Sequence, residues 1–373
     1  MKIGVNARFL VHPYTGIGQY TRYLMQMLSK IDRKNEYFLF TPELVEWNLP
    51  DHFHQIRVPE RSSHSPSLAK AHWEHVLVPQ ELLKWKIDLA HFLYPANPWK
   101  RLPLPTVVTV HDVIPWRLKA YNKRLRSKLY HFYVRQALKK ADHIITVSEF
   151  SKREIMDIFK IQEKNIAVIP HGLPLFFWGI PLPDLPLRRD FLLYVGGYDE
   201  RKNIPRLIKA YLKHIANDHK VDLILVGGKN RNLERYITGE FAYRVASDIL
   251  VQPKGNIIFT NVLSNDELAV LYKQATALIS PSVYEGFNLP LVEAMAAGIL
   301  IVASDITVNR EVTGEAALFF DPKSVDSIGE GILKLLGDSG FRKKLVSKGT
   351  EFVKRYNWEK SAEAVLGVYN LFT

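Results

Sequence analysis

The chain has 373 residues, of which 47% are apolar, 24% charged and 12% aromatic, the composition of a folded protein and not of a disordered or collagen-like one. Lys and Arg number 50 against 38 Asp and Glu, a formal charge of +12, and the absence of cysteine excludes disulfides, thiolate nucleophiles and Cys-ligated metals. At roughly 150 residues per domain, this length predicts two cores.

The opening MKIGVNARFL lacks the pattern of a secretory signal, and no apolar run approaches the ~18 residues that span a bilayer, so a cytoplasmic protein is expected. In chain order, strand-like runs stand at Lys2 to Val5, Tyr37 to Phe40, Leu89 to Phe92, Thr106 to Val110 and His143 to Val147, with helical segments between them. After Pro170 the pattern restarts with Phe191 to Val195, Leu223 to Val226, Ile257 to Phe259, Ala277 to Ile279 and Leu300 to Ala303. Short β-rich runs alternating with helices predict parallel sheets of βαβ units, hence an α/β chain of two doubly wound domains. The four prolines of Pro174 to Pro186 mark the connection between them. Near the end, Ala362, Val365, Leu366, Val368 and Tyr369 fall near helical spacing and predict a terminal helix.

Chemistry-bearing residues gather where strands end. In GVNARFLVHPYTGIGQYTRYL, Gly16 and Gly18 are expected after the first strand and just before a helix. Alone this reads as a weak dinucleotide fingerprint, because Thr21 replaces the third glycine and no acid marks a second strand end about 20 residues on. His111 and Asp112 follow Thr106 to Val110 and so lie at a carboxyl edge, where open α/β sheets bind ligands. A lone histidine is more often a structural hydrogen-bonding residue, and Asp112 reads equally as a helix N-cap.

Charge is uneven: residues 1–173 hold 26 basic and 15 acidic side chains, and Arg117 to Lys140 carries nine Lys and Arg with no acid. Tyr121, Leu125, Leu129, Phe132 and Leu138 interrupt these cations. Either a helix buries the interrupting residues while its cations face water, or the cationic face meets anionic headgroups or a diphosphate-linked lipid acceptor. Nucleic acid is not expected, since no recognition motif accompanies the charge.

In SPSVYEGFNLPLVEAMAAG, Ser280 to Gly298, a strand end leads through a loop carrying Glu285 into a helix that Pro290 can open and Gly298 can close. Backbone N–H groups of Phe287, Asn288 and Leu289 are placed at the helix start, where unsatisfied donors and the dipole favour an anion. Glu293 follows in the first helical turns. The competing reading makes Glu293 a residue that complements the helix dipole and Glu285 an exposed loop acid.

The whole segment closely resembles the donor site of retaining glycosyltransferase family 4, also called glycosyl transferases group 1, with Glu285 and Glu293 matching its Glu-x7-Glu pair. YVGGYDERKNIPRLIKAY, from Tyr194 to Tyr211, resembles the glycine turn of the family's second domain, and Lys202 matches the lysine on the donor diphosphate. Many members carry arginine where this chain has Gly197; Arg201 either supplies that charge or is a solvated arginine. The opening GIGQYTRYL and the VGGYDERKN segment look most like bacterial mannosyltransferases of surface polysaccharide assembly.

The resemblance implies a GT-B fold of two Rossmann-like domains facing across a cleft. Residues 1–173 would form the acceptor side, with helix 357–373 packing back on it, and residues 187–356 the donor-binding domain. It implies retaining hexosyl transfer, mannosyl favoured, from a nucleotide diphosphate sugar such as GDP-mannose to a glycan or lipid-linked glycan. His111, Lys202 and Glu285 would act on the donor; Gly16, Gly18, Arg201, Val262, Phe287, Asn288, Leu289 and Glu293 would bind it. Val262, after Asn261, would offer backbone groups to the nucleobase. No Asp-x-Asp occurs, so transfer without metal or other cofactor is expected. A catalytically weak nucleotide-sugar-binding protein is the alternative, favoured by Gly197 alone.

Overall fold

The computed structural model describes residues 1–60, 65–122, 125–174, 190–227, 255–260, 262–337 and 339–373. Two all-parallel sheets organise them. The first runs β3-β2-β1-β4-β5-β6-β7, made of β1 (Lys2–Asn6), β2 (Glu36–Thr41), β3 (Phe53–Arg57), β4 (Leu89–Phe92), β5 (Thr106–Val110), β6 (His143–Thr146) and β7 (Ile166–Val168). The second runs β10-β9-β8-β11-β12-β13, made of β8 (Phe191–Val195), β9 (Asp222–Val226), β10 (Ile257–Thr260), β11 (Ala277–Ser280), β12 (Leu300–Ser304) and β13 (Leu318–Phe320).

Helices on both faces of a parallel sheet bury its inner strands completely, and every residue of β4, β5, β6, β11 and β12 is buried. That burial is why these strands read as unbroken apolar runs. The edge strand β3, FHQIR, is half-exposed and carries polar residues, while β7 and β13 have three residues each, too short to register as runs. In each sheet the winding direction reverses once, between β1 and β4 and between β8 and β11. Crevices at the carboxyl ends of such neighbours are where open α/β sheets take ligands.

The chain divides into two units, Met1–Gly172 with Tyr356–Thr373, and Leu173–Arg355. Most of the proline-rich connection lies outside the described residues. The final helix, Trp358–Tyr369, is capped by Asn357, whose Oδ1 accepts from Glu359 N at 2.7 Å. It lies against the helix Gly16–Ile31 and is tied to the chain just beyond β7 by Ser361 Oγ donating to Pro170 O at 2.8 Å. A Cβ on Gly172 would come within 2.4 Å of the Trp358 ring, so glycine alone lets the chain pass.

In the basic segment, the helix Leu125–Leu138 buries His131, Val134, Ala137 and Leu138, and Phe132 stands 54% exposed instead of joining that apolar face. No helix among the described residues is long and apolar enough to cross a membrane.

Candidate active site

The switch point of the second sheet gathers the charged residues. After β8 the chain turns at Gly196, whose φ of +153° favours glycine and whose N–H donates to Val226 O at 3.0 Å. Tyr194 Oη donates to Gly197 O at 2.5 Å, and the short 3-10 turn Glu200–Lys202 ends on left-handed Asn203. Asn203 Nδ2 reaches across to Pro281 O at 3.0 Å and Pro322 O at 2.8 Å. Val283 N donates to Arg201 O at 2.8 Å, so the loops after β8 and β11 are laced together by backbone and amide bonds.

This lacing brings Lys202 Nζ to 2.6 Å from Glu285 Oε1, while the Arg201 guanidinium bonds Oε2 and pairs with Asp199 at 3.2 Å. Lys202 and Glu285 are both buried. Burial raises the Glu285 pKa, but the charges of Lys202 and Arg201, with hydrogen bonds from Lys202 and Ser282, outweigh it and hold the carboxyl below its usual range. Glu285 is therefore ionised and able only to accept hydrogen bonds. Arg201 belongs to the cluster and is not a solvated surface arginine. Gly197 leaves room: a Cβ there meets nothing nearer than Asp199 Oδ2 at 3.6 Å.

The helix Leu289–Ala297 opens as the sequence suggests, with Pro290 in its first turn and left-handed Gly298 (φ +70°) at its end. Its N-cap is Asn288, at φ +73°, held by Nδ2 donating to Ser280 Oγ at 2.9 Å and Asn309 Oδ1 at 2.8 Å. Phe287 is buried beside it and Leu289 half-buried. Glu293 lies a turn deeper, buried, and accepts from Tyr272 Oη at 2.6 Å. With no cation beside it, burial pushes its pKa up to about 7 against the lowering effect of the Tyr272 bond. The two glutamates thus differ in charge state for a stated reason: one is clamped by cations, the other by a phenol. Val262 precedes the Ser264-capped helix Asn265–Gln274 and is 56% exposed; Asn261 lies outside the described residues.

In the first unit Gly16 and Gly18 sit inside the first turn of Gly16–Ile31, not ahead of it, because Thr15 takes the N-cap and accepts from Gly18 N at 3.1 Å. A Cβ on Gly18 would lie 2.1 Å from His12 O, whereas Gly16 is exposed and faces open space. His111, at the carboxyl end of β5, donates from Nε2 to Leu93 O at 3.0 Å. Burial drives its pKa down to about 4, that carbonyl bond opposing, so the imidazole is neutral. Its ring stacks on His171 with centroids 5.4 Å apart and meets the edge of Tyr20 at 4.7 Å. Asp112 Oδ1 accepts from Ile114 N at 3.0 Å in a local turn, and Asp112 is not the N-cap: Val113 holds that position before the helix Ile114–Arg117.

Sequence reasoning missed Asp199, Tyr272 and the partner rings of His111. Tyr272 has no motif; only its helix phase could have placed it near Glu293. Among the described residues no group of three His, Asp or Glu gathers as metal ligands would.

Comparison with known proteins agrees with this arrangement. The family model for glycosyltransferase family 4 matches residues 14–175, and that for glycosyl transferases group 1 matches residues 183–352. The chain is 28% identical to O-antigen chain mannosyltransferase B of Escherichia coli, covering 100% of both chains. It is also 28% identical to the O-antigen chain mannosyltransferase RfbU of Salmonella typhimurium, over 69% of this chain and 67% of that one. In fold it is similar to sucrose-phosphate synthase from Thermosynechococcus elongatus, with a TM-score of 0.79 at 21% identity over 100% of this chain and 98% of the other. With one family model on each parallel-sheet unit and the Glu285–Lys202 pair at the second sheet's switch point, the chain belongs to the group 1, family 4 glycosyltransferases of GT-B fold.

Proposed function

We propose that the protein is a retaining, metal-independent hexosyltransferase that moves mannose from a nucleotide diphosphate sugar, GDP-mannose favoured, to a glycan or lipid-linked glycan acceptor. The observation that carries this reading is Glu285 held ionised between Lys202 and Arg201 at the switch point of the second sheet. The mannosyl preference is supported by the names of the Escherichia coli and Salmonella relatives.

The chemical demand is to break a sugar C1–O bond while negative charge grows on the departing diphosphate. Lys202 and Arg201 turn from Glu285 toward that charge, and the donors at the start of Leu289–Ala297, around Phe287 and Asn288, add the favourable end of the helix dipole. Glu285, relieved of its cations, accepts from donor-sugar hydroxyls, and Glu293 accepts from the ribose. Glu285, kept ionised, cannot protonate the leaving group, and Glu293 is assigned to the ribose and not to the scissile bond, so the acid–nucleophile pair of glycosidases is not part of this reading. The acceptor hydroxyl attacks C1 on the face that the diphosphate leaves. The bonding pair departs with the phosphate oxygen, which takes the acceptor's proton, and configuration is retained. In the first unit, the neutral His111 imidazole is assigned to a sugar hydroxyl and the exposed Gly16 turn to close backbone approach.

Calorimetric titration with GDP, UDP and ADP, then with their sugar derivatives, all in EDTA, tests the donor. Binding of GDP and GDP-mannose without metal is the expected result; absence of any nucleotide binding would overturn the donor site. Glu285→Gln should leave GDP binding at least as tight and depress mannosyl transfer. The alternative, a binding protein without turnover, predicts nucleotide-sugar binding with no product under any acceptor tried.

A further inference from the structure

His111 ends β5, yet the residues packed on its ring are placed by the last helix of the chain. Its Nε2 donates to Leu93 O, which leaves Nδ1 as the bare nitrogen of a neutral imidazole. One hydrogen bond fixes one atom of a ring; its plane is fixed by what packs against it. His171 lies over His111 nearly parallel, at an interplanar angle of 19°. Tyr20 meets both imidazoles close to right angles, 4.7 Å from His111 and 5.1 Å from His171.

The first turn of the helix Trp358–Tyr369 sets Trp358 against both of these neighbours, with ring centroids 5.7 Å from Tyr20 and 6.0 Å from His171. The backbone and ring of Trp358 press on Gly172 so closely that no Cβ fits there, and Ser361 holds the Pro170 carbonyl, so His171 is pinned from both sides along the chain. The last turn of the same helix reaches Tyr20 by a second route. Tyr369 Oη stands 2.6 Å from His91 Nδ1, His91 Nε2 2.9 Å from Thr109 Oγ1, and Thr109 Oγ1 3.5 Å from Tyr20 Oη. All four side chains are buried, where polar atoms are satisfied by one another and not by bulk water.

We propose that the helix Trp358–Tyr369 positions His111, acting at its first turn through Trp358 and His171 and at its last through Tyr369, His91 and Thr109, with Tyr20 common to both routes. His171 and Tyr20 are positioning residues, since they act through the ring they hold. Burial and the nearby His111 keep His171 well below the usual histidine range, so the stacked pair is neutral and neither ring repels the other. A ring locked with its proton on Nε2 presents Nδ1 in one direction, which a ring free to flip about χ2 does not. The catalytic consequence rests on the proposed contact of His111 with a sugar hydroxyl, whereas the ring's geometry is read without substrate.

Histidine-ring NMR on the full chain, with His111 identified by the signals that His111→Gln removes, decides it. In the wild type, His111 is expected as one neutral tautomer with its proton on Nε2, titrating at about 4. His171→Ala, and separately Trp358→Leu, should give a mixture of tautomers and move the titration toward the ordinary value of about 6.5. His171→Phe, which keeps a flat ring over His111, should restore the single tautomer. Phe53→Leu is the control for mere loosening of the fold: it alters a buried ring in β3, four strands from β5 in the same sheet, and should lower the melting temperature with the His111 signals unmoved. Wild-type His111 signals in both His171→Ala and Trp358→Leu, or the same change in Phe53→Leu, would overturn the proposal. Hydrolysis of GDP-mannose to mannose and GDP then separates it from the functional reading. His171→Ala should slow GDP release about tenfold or more with KM changed less than about twofold, and should add nothing to the loss in His111→Gln. Undiminished release by His111→Gln would overturn the assignment of His111 to the donor, while the ring signals alone decide its positioning.

Discussion

Glu285 compensates two cations, one of them a buried lysine, and this makes its replacement informative beyond catalysis. Breaking a buried pair from one side leaves uncompensated charge and costs about 3–5 kcal/mol. Glu285→Gln is therefore expected to lower the melting temperature of the empty second unit, and GDP, by supplying the missing anion, to recover more stability in the variant than in the wild type. Calorimetric melts with and without GDP measure this; equal ligand-induced shifts would refute the counter-ion role. Arg201→Ala should weaken diphosphate binding about tenfold or more, the loss of one charge-assisted hydrogen bond. If Arg201 replaces the arginine that the family pattern carries at position 197, Gly197→Arg should restore part of that loss, since the space beside Gly197 is open.

Glu293, pushed up to about 7, is protonated in a large share of molecules at neutral pH. Hydroxyl donors favour its ionised form, so nucleoside diphosphate affinity should rise as pH climbs from 6 to 8, and Glu293→Gln should flatten that profile. A profile that the variant leaves unchanged would detach Glu293 from the ribose. Both glutamates were legible in the sequence because their spacing matches a family frame. Their charge states were not, since these depend on Lys202, Arg201 and Tyr272, which lie 83, 84 and 21 residues away in the chain from the carboxylates they contact.

Among elements, the helix Gly16–Ile31 separates structural glycine from functional glycine. Gly18→Ala drives a methyl group into the His12 carbonyl and should cost about 1–3 kcal/mol of the first unit's stability. Gly16→Ala meets open space in the same turn and should leave stability level or slightly raised, alanine being the better helix former by about 1 kcal/mol. A fall in transfer rate with Gly16→Ala at unchanged melting temperature would mark that turn as ligand-facing; unchanged transfer would remove Gly16 from the site. The inner strands were readable because complete burial writes an apolar run. Strand β3 was not, because an edge strand satisfies only one neighbour and tolerates polar residues such as His54 and Gln55. The outward turn of Phe132 was equally illegible: residue type says only that the ring is apolar, and the helix phase that exposes it is set by the pocket accepting Val134 and Leu138.

At the scale of the molecule, the buried histidines of the first unit and Glu293 of the second titrate with opposite sign. His91 in the first unit is fully buried, its ring nitrogens 2.6 Å from Tyr369 Oη and 2.9 Å from Thr109 Oγ1, and burial with the nearby His111 pushes its pKa down to about 3. The folded form stays neutral while the unfolded chain protonates below its ordinary value of about 6.5. Stability contributed by His91 is thus intact above that value and falls by about 2 kcal/mol by pH 5. His111 and His75, both lowered to about 4, act in the same direction. Melts between pH 7.5 and 5 should show the first unit weakening toward acid, and no change would contradict neutral buried histidines. Glu293 works the other way: its contribution to the second unit is complete below the ordinary glutamate value of about 4.5 and is lost as pH rises through about 7.

Tyr369 on His91 and Trp358 against Gly172 mean that the first unit is completed by the last stretch of chain. On the ribosome, all seven strands of its sheet emerge before any residue of the second unit, yet the helix that closes over Gly16–Ile31 comes only after residues 173–355. At about 5–20 residues per second, that interval leaves the apolar side of Gly16–Ile31, Tyr20 and Tyr23 included, bare for roughly 10–40 s. The half encoded first is accordingly the half finished last, whereas the second unit, contiguous in sequence, waits for no later segment.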